Sequence, residues 1–369
     1  MERPRSGSDL SSIINDERYR SVFYQILVFG TVFAIAAFLV NNTLTNMAAQ
    51  GKAAGFDFLL GTAGFSIAWT PLDYNPVDSY LFVYWVGIVN TLIISGISIV
   101  FTTILGFFIG ILRLSKNWLI AQIAAWYVEV LRNTPLLLQI IFWYLGAFAN
   151  LPRPKQSVEL LGVDWLVLNN RGLYFPNAEF GELFWLTAVG MFISVVAAIW
   201  YNQRATKQQL ETGVYVASWW KILAILIGLP LAIFLVTGMP LSWELPVLKG
   251  FNFQGGTFIL PAMCSVLVAL IIYHSAYVAE MVRAGIMSVS HGQTEAAYSL
   301  GLRPSWTMRL VIIPQAMRAI IPPLISQYLN IVKNSSLAVA IAYPDLVGLW
   351  MQTSLNQAGR AIEIVATTM

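Results

Sequence analysis

Polar side chains set inside apolar runs are where chemistry is first sought, because each is costly in a bilayer. Two stretches collect them. Tyr127-Val-Glu129-Val-Leu-Arg132-Asn133-Thr134-Pro135 is followed by Gln139. Glu129 and Arg132 stand three apart and share a helical face, so they are read as a structural ion pair. Pro135 removes a backbone donor and biases Thr134 away from helix. The freed carbonyls need partners, which sets this backbone against protein or a watery cavity rather than lipid. Thr134 and Gln139 either line a pathway or pin a kinked helix. The second stretch is Tyr328-Leu-Asn330-Ile-Val-Lys333-Asn334-Ser335-Ser336-Leu337. Lys333 lies too deep in its run to snorkel from either end. Its ammonium could meet a substrate carboxylate, a neighbouring acid or helix carbonyls. With Ser335 or Ser336 it could also form a Ser–Lys nucleophile pair, although nothing nearby marks an oxyanion hole. Glu280 and Arg283 repeat the acid–base spacing at the end of another apolar run and are read as a structural clamp. His274 is read as a hydrogen-bonded core histidine.

Other chemistries are disfavoured by what is missing. There is no G-x-x-x-x-G-K-[ST] loop, so the chain does not hold ATP that way, and no H-E-x-x-H or G-x-S-x-G. One cysteine, Cys264, and two histidines, His274 and His291, argue against a disulfide framework and a metal site. Of the 369 residues 57% are hydrophobic and 11% charged, a membrane composition. The net charge of +3 is too small to argue for nucleic acid.

The elements that must position these residues are spanning helices, each needing roughly 20 apolar residues. Candidates are Val22–Val40, Leu81–Leu112, Trp118–Phe148, Leu183–Trp200, Ile222–Gly238, Phe258–Val282 and Ala319–Ala342. Val22–Val40 is longer than a signal-peptide core and is read as a retained helix. A further helix is expected to begin near Arg360, and Ala361–Met369 is too short to cross. Leu81–Leu112 exceeds one bilayer thickness. It carries Gly106-Phe-Phe-Ile-Gly110, a small-xxx-small spacing for close packing inside the subunit or at a dimer seam. Cytoplasmic loops carry the excess of Lys and Arg. With the N-terminus inside, thirteen fall inside: Arg3, Arg5, Arg18, Arg20; Arg113, Lys116; Arg204, Lys207, Lys221; Arg283, Arg303, Arg309 and Arg318. Six fall outside: Lys52, Arg153, Lys155, Arg171, Lys249 and Arg360. The outside segments Asn41–Tyr80, Asn150–Glu182 and Met239–Thr257 carry Pro, Gly and aromatic residues as folded loops do.

On this topology Ala284–Gln315, AGIMSVSHGQTEAAYSLGLRPSWTMRLVIIPQ, is a cytoplasmic loop, yet it is not composed like a connector. Thr294–Leu300 is expected to be a short helix stopped by Gly301 in a left-handed conformation. A second helix is expected to begin at Pro304 and end at Pro314. The result would be a rigid knob.

Gln293, Glu295-Ala296-Ala297, Gly301 and Ile313-Pro314-Gln315, in this order and spacing, resemble the "EAA" loop of ABC importer permeases. Glu129-Val-Leu-Arg132-Asn133-Thr134-Pro135-Leu-Leu-Leu-Gln139 resembles the signature of polar amino-acid permeases in that family. Lys333-Asn334-Ser335-Ser336-Leu337 resembles its Lys-x-(Thr/Ser)-Ser-Leu segment. The match covers Leu81–Phe148 and Phe258–Arg360. The added helices are similar to those of the longer permeases for general L-amino acids, or for glutamate, glutamine, aspartate and asparagine.

The resemblance implies an all-α polytopic membrane bundle with a type I, MetI-like importer permease core and extra helices. Its organisation would be residues 1–80 as N-terminus, first extra helix and periplasmic segment, and 81–149 as the first half of the core. Residues 150–257 would be an insertion with two extra helices, and 258–369 the second half with the coupling loop 284–315. The family's core ends in one more spanning helix, so the resemblance reads the last helix as truncated. It implies multi-pass residence in the bacterial inner membrane with the N-terminus cytoplasmic. Thr134, Gln139, Lys333, Asn334 and Ser335 would belong to the substrate pathway. Gln293, Glu295, Ala296, Ala297, Gly301 and Pro314 would couple to the ATPase. The chain itself would be no enzyme and hold no cofactor, ATP and Mg being bound by partner ATPase subunits in two copies. Further partners would be a second related permease, a periplasmic amino-acid-binding protein and the L-amino-acid substrate, in lipid and without nucleic acid. An intramembrane hydrolase using Lys333 and Ser335, or a passive amino-acid channel, are the rival readings.

Overall fold

Long apolar runs can satisfy their backbone in lipid only as helices or closed barrels, and helices are what form. The structure, a computed structural model, describes residues 17–49, 55–214 and 218–368. Arg3, Arg5 and Lys52 of the charge count, with the polar stretch before Glu17, lie outside the described residues. The first helix, α1 (Glu17–Ala49), runs past the expected Val40. Every side chain described on it is exposed, so its apolar surface faces lipid or a partner. The second, α2, is Tyr80–Leu112. Asn117 then caps α3 (Trp118–Asn133), its side chain accepting from the amides of Leu119 and Ile120.

The expected single span Trp118–Phe148 is not one helix. It is divided at Thr134-Pro135 into α3 and α4 (Leu136–Ile141), followed by wider π-type turns over Phe142–Ala147. Thr134 is extended (φ −95°, ψ 125°) because the Pro135 ring excludes the helical conformation from its predecessor. Among the described residues six helices are long and apolar enough to cross a membrane, and the divided one is not among them.

The Pro- and Gly-punctuated stretch after Asn150, read from the sequence as loop, folds into short strands within a mostly helical chain. They are β1 (Val158–Glu159), β2 (Val167–Asn169), β3 (Gly172–Phe175) and β4 (Asn177–Phe180). Next come α5 (Phe184–Thr212) and α6 (Trp219–Val236), an antiparallel pair. Helix α5 continues twelve residues past Trp200, the expected end of the span. Gly190 allows the pair's close approach: a β-carbon there would sit 2.4 Å from Ile233 Cδ1. Strands β5 (Leu241–Glu244), β6 (Val247–Lys249), β7 (Asn252–Gln254) and β8 (Thr257–Ile259) complete the insertion. The order β1-β2-β3-β8 makes one antiparallel sheet; β4 pairs β5 and β6 pairs β7. Gly172 (φ +141°) is where β3 meets β8, with room for no β-carbon, since one would lie 2.3 Å from the Ile259 carbonyl oxygen.

Strand β8 leads through Leu260 into α7 (Pro261–Met287), with Pro261 in its first turn. Helix α8 (His291–Ser299), α9 (Pro304–Thr307) and α10 (Ile313–Asn334) follow, with π-type turns over Met308–Ile312 between the last two. Seven residues of 3-10 helix, Ser335–Ile341, extend α10. The chain closes with π-type turns over Val347–Ser354, α11 (Leu355–Ala358) and α12 (Ala361–Thr368).

Packing divides the chain into two compact units, Met1–Asn90 with Pro344–Met369, and Thr91–Tyr343. In the first, Trp350, Leu349 and Ile364 bury against Ala63, Tyr80, Val83 and Val86. The Asn90 amide donates to the Trp69 and Pro344 carbonyls at 3.1 and 2.8 Å. In the second, α7 is the central helix, buried along much of its length. The glycines of α2 seat on it: β-carbons at Gly106 and Gly110 would lie 2.5 Å from Val278 Cβ and 2.8 Å from the Ala279 oxygen. The small-xxx-small spacing is therefore spent inside the subunit. Helix α10 packs on the same helix at Gly285, where a β-carbon would lie 2.3 Å from Ile320 Cγ1.

Candidate functional site

Helix α7 rises about 40 Å over its 27 residues. The inserted sheet is fastened at its first residue and the 284–315 corner at its last. The corner is a built object. Helix α8 starts at His291, three residues before the expected Thr294. It ends in a Schellman motif, the Leu302 amide donating to the Ala297 carbonyl (3.1 Å) and the Gly301 amide to Tyr298 (2.9 Å). Gly301 is left-handed at φ +76°, with open space where a β-carbon would go. Its conformation, rather than crowding, is what requires glycine.

Pro314 does not end the second helix. It lies in the first turn of α10, and the chain stays helical from Pro304 to Ile341. Wider turns just before a proline absorb its missing donor and its ring. The corner is braced by Gln315 Nε2 donating to Gln293 Oε1 at 3.2 Å, and by His291 Nδ1 at 2.9 Å from Glu295 Oε1. The two alanines differ: Ala297 is buried against its own chain, and Ala296 faces out with Glu295. Tyr298 and Leu300, absent from the sequence-based set, are exposed beside them, Leu300 to 81%. The corner thus offers a small, part-apolar face on a rigid support.

At the base of the corner Glu280 holds Arg283, with Oε1 2.5 Å from Nη2, and also Arg113, which comes from just beyond α2. The sequence paired Glu280 with one arginine; the second arrives from a distant part of the chain. Glu129 and Arg132 do not pair. Both are exposed, Glu129 has no ion-pair partner among the described residues, and the Arg132 guanidinium lies over the Tyr277 ring, 5.0 Å from its centroid. An exposed i,i+3 pair gains little, and the aromatic face competes for the cation.

The break at Pro135 is patched from within. Gln139 Nε2 donates to the carbonyls of Leu131 (3.1 Å) and Thr134 (3.0 Å). Leu131 is the residue that an amide at position 135 would have served. Gln139 Oε1 is buried without a hydrogen-bond partner among the described residues. Thr134 Oγ1 donates back to Val130 (2.8 Å).

Lys333 is exposed on this chain, not buried, and makes no ion pair or hydrogen bond through its ammonium among the described residues. Ser335 donates to the Val332 carbonyl and Ser336 to Lys333, each at 2.7 Å. Both hydroxyls are spent on helix carbonyls, which gives a Ser–Lys nucleophile no geometry. Asn334 turns inward, its Nδ2 3.3 Å from His274 Nε2, while Gln327 Nε2 lies 2.6 Å from His274 Nδ1. His274 is 1% exposed and engaged at both ring nitrogens, as a core histidine should be. No group of three or more His, Cys, Asp or Glu residues among the described residues could hold a metal ion.

Residues 102–368 match the family described as "Binding-protein-dependent transport system inner membrane component". The chain is 46% identical over 369 residues to the "Putative amino-acid ABC transporter permease protein YhdX" of Escherichia coli, covering 100% of this chain and 93% of the other. It is 46% identical over 360 residues to the "General L-amino acid transport system permease protein AapQ" of Rhizobium johnstonii, covering 98% and 89%. The "Glutamate/glutamine/aspartate/asparagine transport system permease protein BztB" of Rhodobacter capsulatus is 39% identical over 395 residues, covering 99% and 92%. A polytopic helical chain with a capped corner at the end of its central helix, matched along most of its length, belongs to the binding-protein-dependent transport system inner membrane component family.

Proposed function

We propose that this chain is the membrane-spanning permease subunit of an ATP-driven importer that moves L-amino acids from periplasm to cytoplasm. The names carried by its relatives support the substrate class, and the charge bias of the loops supports a cytoplasmic N-terminus in an inner membrane. ATP is hydrolysed on separate subunits, two of which bind this chain and a related second permease through their corners. ATP draws the two subunits together and carries each corner as a rigid body. The spanning helices then rock between two packed arrangements, one open to a loaded binding protein and one open to the cytoplasm.

The carrying observation is the corner itself. A glycine held at φ +76° in a Schellman cap and a buried Ala297 fix the direction of α8, while Glu295, Ala296, Tyr298 and Leu300 stay exposed for a partner. The central Glu280 clamp, joining Arg113 and Arg283, lies between that corner and the helices it must move. Gln293 and Pro314 belong to coupling through the corner's brace and through the unbroken helix into α10. In the pathway, Lys333 presents its ammonium on exposed surface and Thr134 is half-buried with its hydroxyl on the Val130 carbonyl, whereas Gln139, Asn334 and Ser335 act by holding backbone and core.

The test is uptake of labelled L-amino acids into proteoliposomes holding the assembled complex. Uptake that requires both ATP and loaded binding protein supports the reading. Downhill flux without nucleotide supports a channel and defeats it.

A further inference from the structure

The insertion, at the end of α7 opposite the corner, holds a concavity of about 780 Å3. Three cations line it, Arg153, Lys155 and Arg171, beside Asn170 and the exposed ring of Phe251. None of the three forms an ion pair among the described residues. Lys155 rests over Phe251, 4.8 Å from the ring centroid. It also edges a neighbouring hollow of about 340 Å3 where Glu159 and Asp164 stand. Arg153 and Arg171 do not line that hollow, so two arginines without an ion pair among the described residues line the larger concavity.

Both arginines are set on short, pinned backbone. The Asn170 amide donates to the Pro152 carbonyl at 3.0 Å, tying the β2–β3 turn to the Pro152–Gln156 segment. The Arg171 amide donates to Asn169 Oδ1 at 2.8 Å, and the Gln156 amide to the Arg153 carbonyl at 2.8 Å. Holding like charges together without a counter-charge is unfavourable, and two guanidinium forks suit carboxylates. Apart from Leu151, at the end of a helix, the lining comes from turns of the insertion. It offers no spanning-helix face for acyl chains, which favours a protein partner over a lipid headgroup.

We propose that this concavity docks an acidic projection of the binding protein that delivers the substrate. The proposal rests on the importer reading and adds to it a contact made by the insertion rather than by the spanning core. It is tested on the assembled transporter in neutral-lipid nanodiscs, with anionic-lipid discs in parallel, by adding loaded binding protein and following ATP hydrolysis. The readout is the concentration of loaded binding protein giving half-maximal stimulation. Reversing both charges, Arg153→Glu with Arg171→Glu, should raise it about tenfold or more, with basal and maximal rates unchanged. The neutral pair Arg153→Gln with Arg171→Gln should raise it less and guards against a folding defect. Salt should weaken wild-type docking more than docking of either variant. An unchanged half-saturation in both variants overturns the proposal. So does a change seen only in anionic-lipid discs, which would mark a headgroup site. If loaded binding protein never stimulates the wild-type complex, the importer reading falls, and this docking falls with it.

Discussion

At the scale of single residues, structural and transport roles can be separated by what each side chain holds. Gln139 serves two carbonyls that Pro135 leaves exposed. Gln139→Leu should therefore destabilise the protein by about 1–3 kcal/mol, read as a lower thermal midpoint of the detergent-solubilised complex. An unchanged midpoint would show that the break is held by something else. Thr134 is different. The Val130 carbonyl it bonds also accepts the Thr134 amide at 3.2 Å, so removing the hydroxyl orphans nothing. Thr134→Val and Lys333→Met should each shift stability by no more than about 0.5 kcal/mol. On the pathway reading each should still lower uptake severalfold. Loss of assembled complex on gel filtration, in place of loss of flux, would make them structural. The sequence showed which residues here were polar and deep, but not what they touched. Glu129 and Arg132 share a helical face, and the competitor that kept them apart, Tyr277, lies 145 residues after Arg132. Likewise nothing near Glu280 in the chain announces Arg113.

At the scale of elements, the short corner was the most legible part, because its chemistry is local. Glycine at the end of a short helical patch and proline three residues on describe a capped turn before any tertiary contact forms. Pro314 departs from expectation for the opposite reason: proline breaks a regular helix, but the wider five-residue stretch Met308–Ile312 before it lets the helix continue. The strands of the insertion were illegible because each is two to four residues long, shorter than any periodic signal. Close approach of helices gives a further prediction. Gly285→Val would drive a side chain into Ile320, and that contact belongs to the packing of α10 on α7. It should abolish accumulation of folded complex. Gly30→Val, at a position with nothing within 4 Å of its β-carbon, should leave accumulation unchanged in the same membranes. Equal accumulation of the two would mean that the α7–α10 seam tolerates separation.

At the scale of the whole molecule, α7 joins an inserted sheet at one end to the corner at the other, so the two belong on opposite sides of the bilayer. A reporter fused after Gln208 should read cytoplasmic and one after Lys155 periplasmic; the reverse would turn the corner away from ATP. The central claim is that the corner transmits ATP hydrolysis to transport, and Gly301 tests it most directly. A β-carbon at φ +76° costs about 1 kcal/mol, and a β-branched side chain more, although the space around it is empty. The strain falls on the turn alone, so the membrane helices should fold as before. In one set of proteoliposomes, ATP hydrolysis and amino-acid uptake are measured together for wild type, Glu295→Ala and Gly301→Val. Gly301→Val should lose ATPase attachment, or hydrolyse ATP with uptake reduced tenfold or more, a ratio of about 1.4 kcal/mol. Glu295→Ala, which keeps the backbone path, should lose less. Normal attachment, stimulation and uptake in Gly301→Val would contradict the account, leaving the corner an ordinary connector.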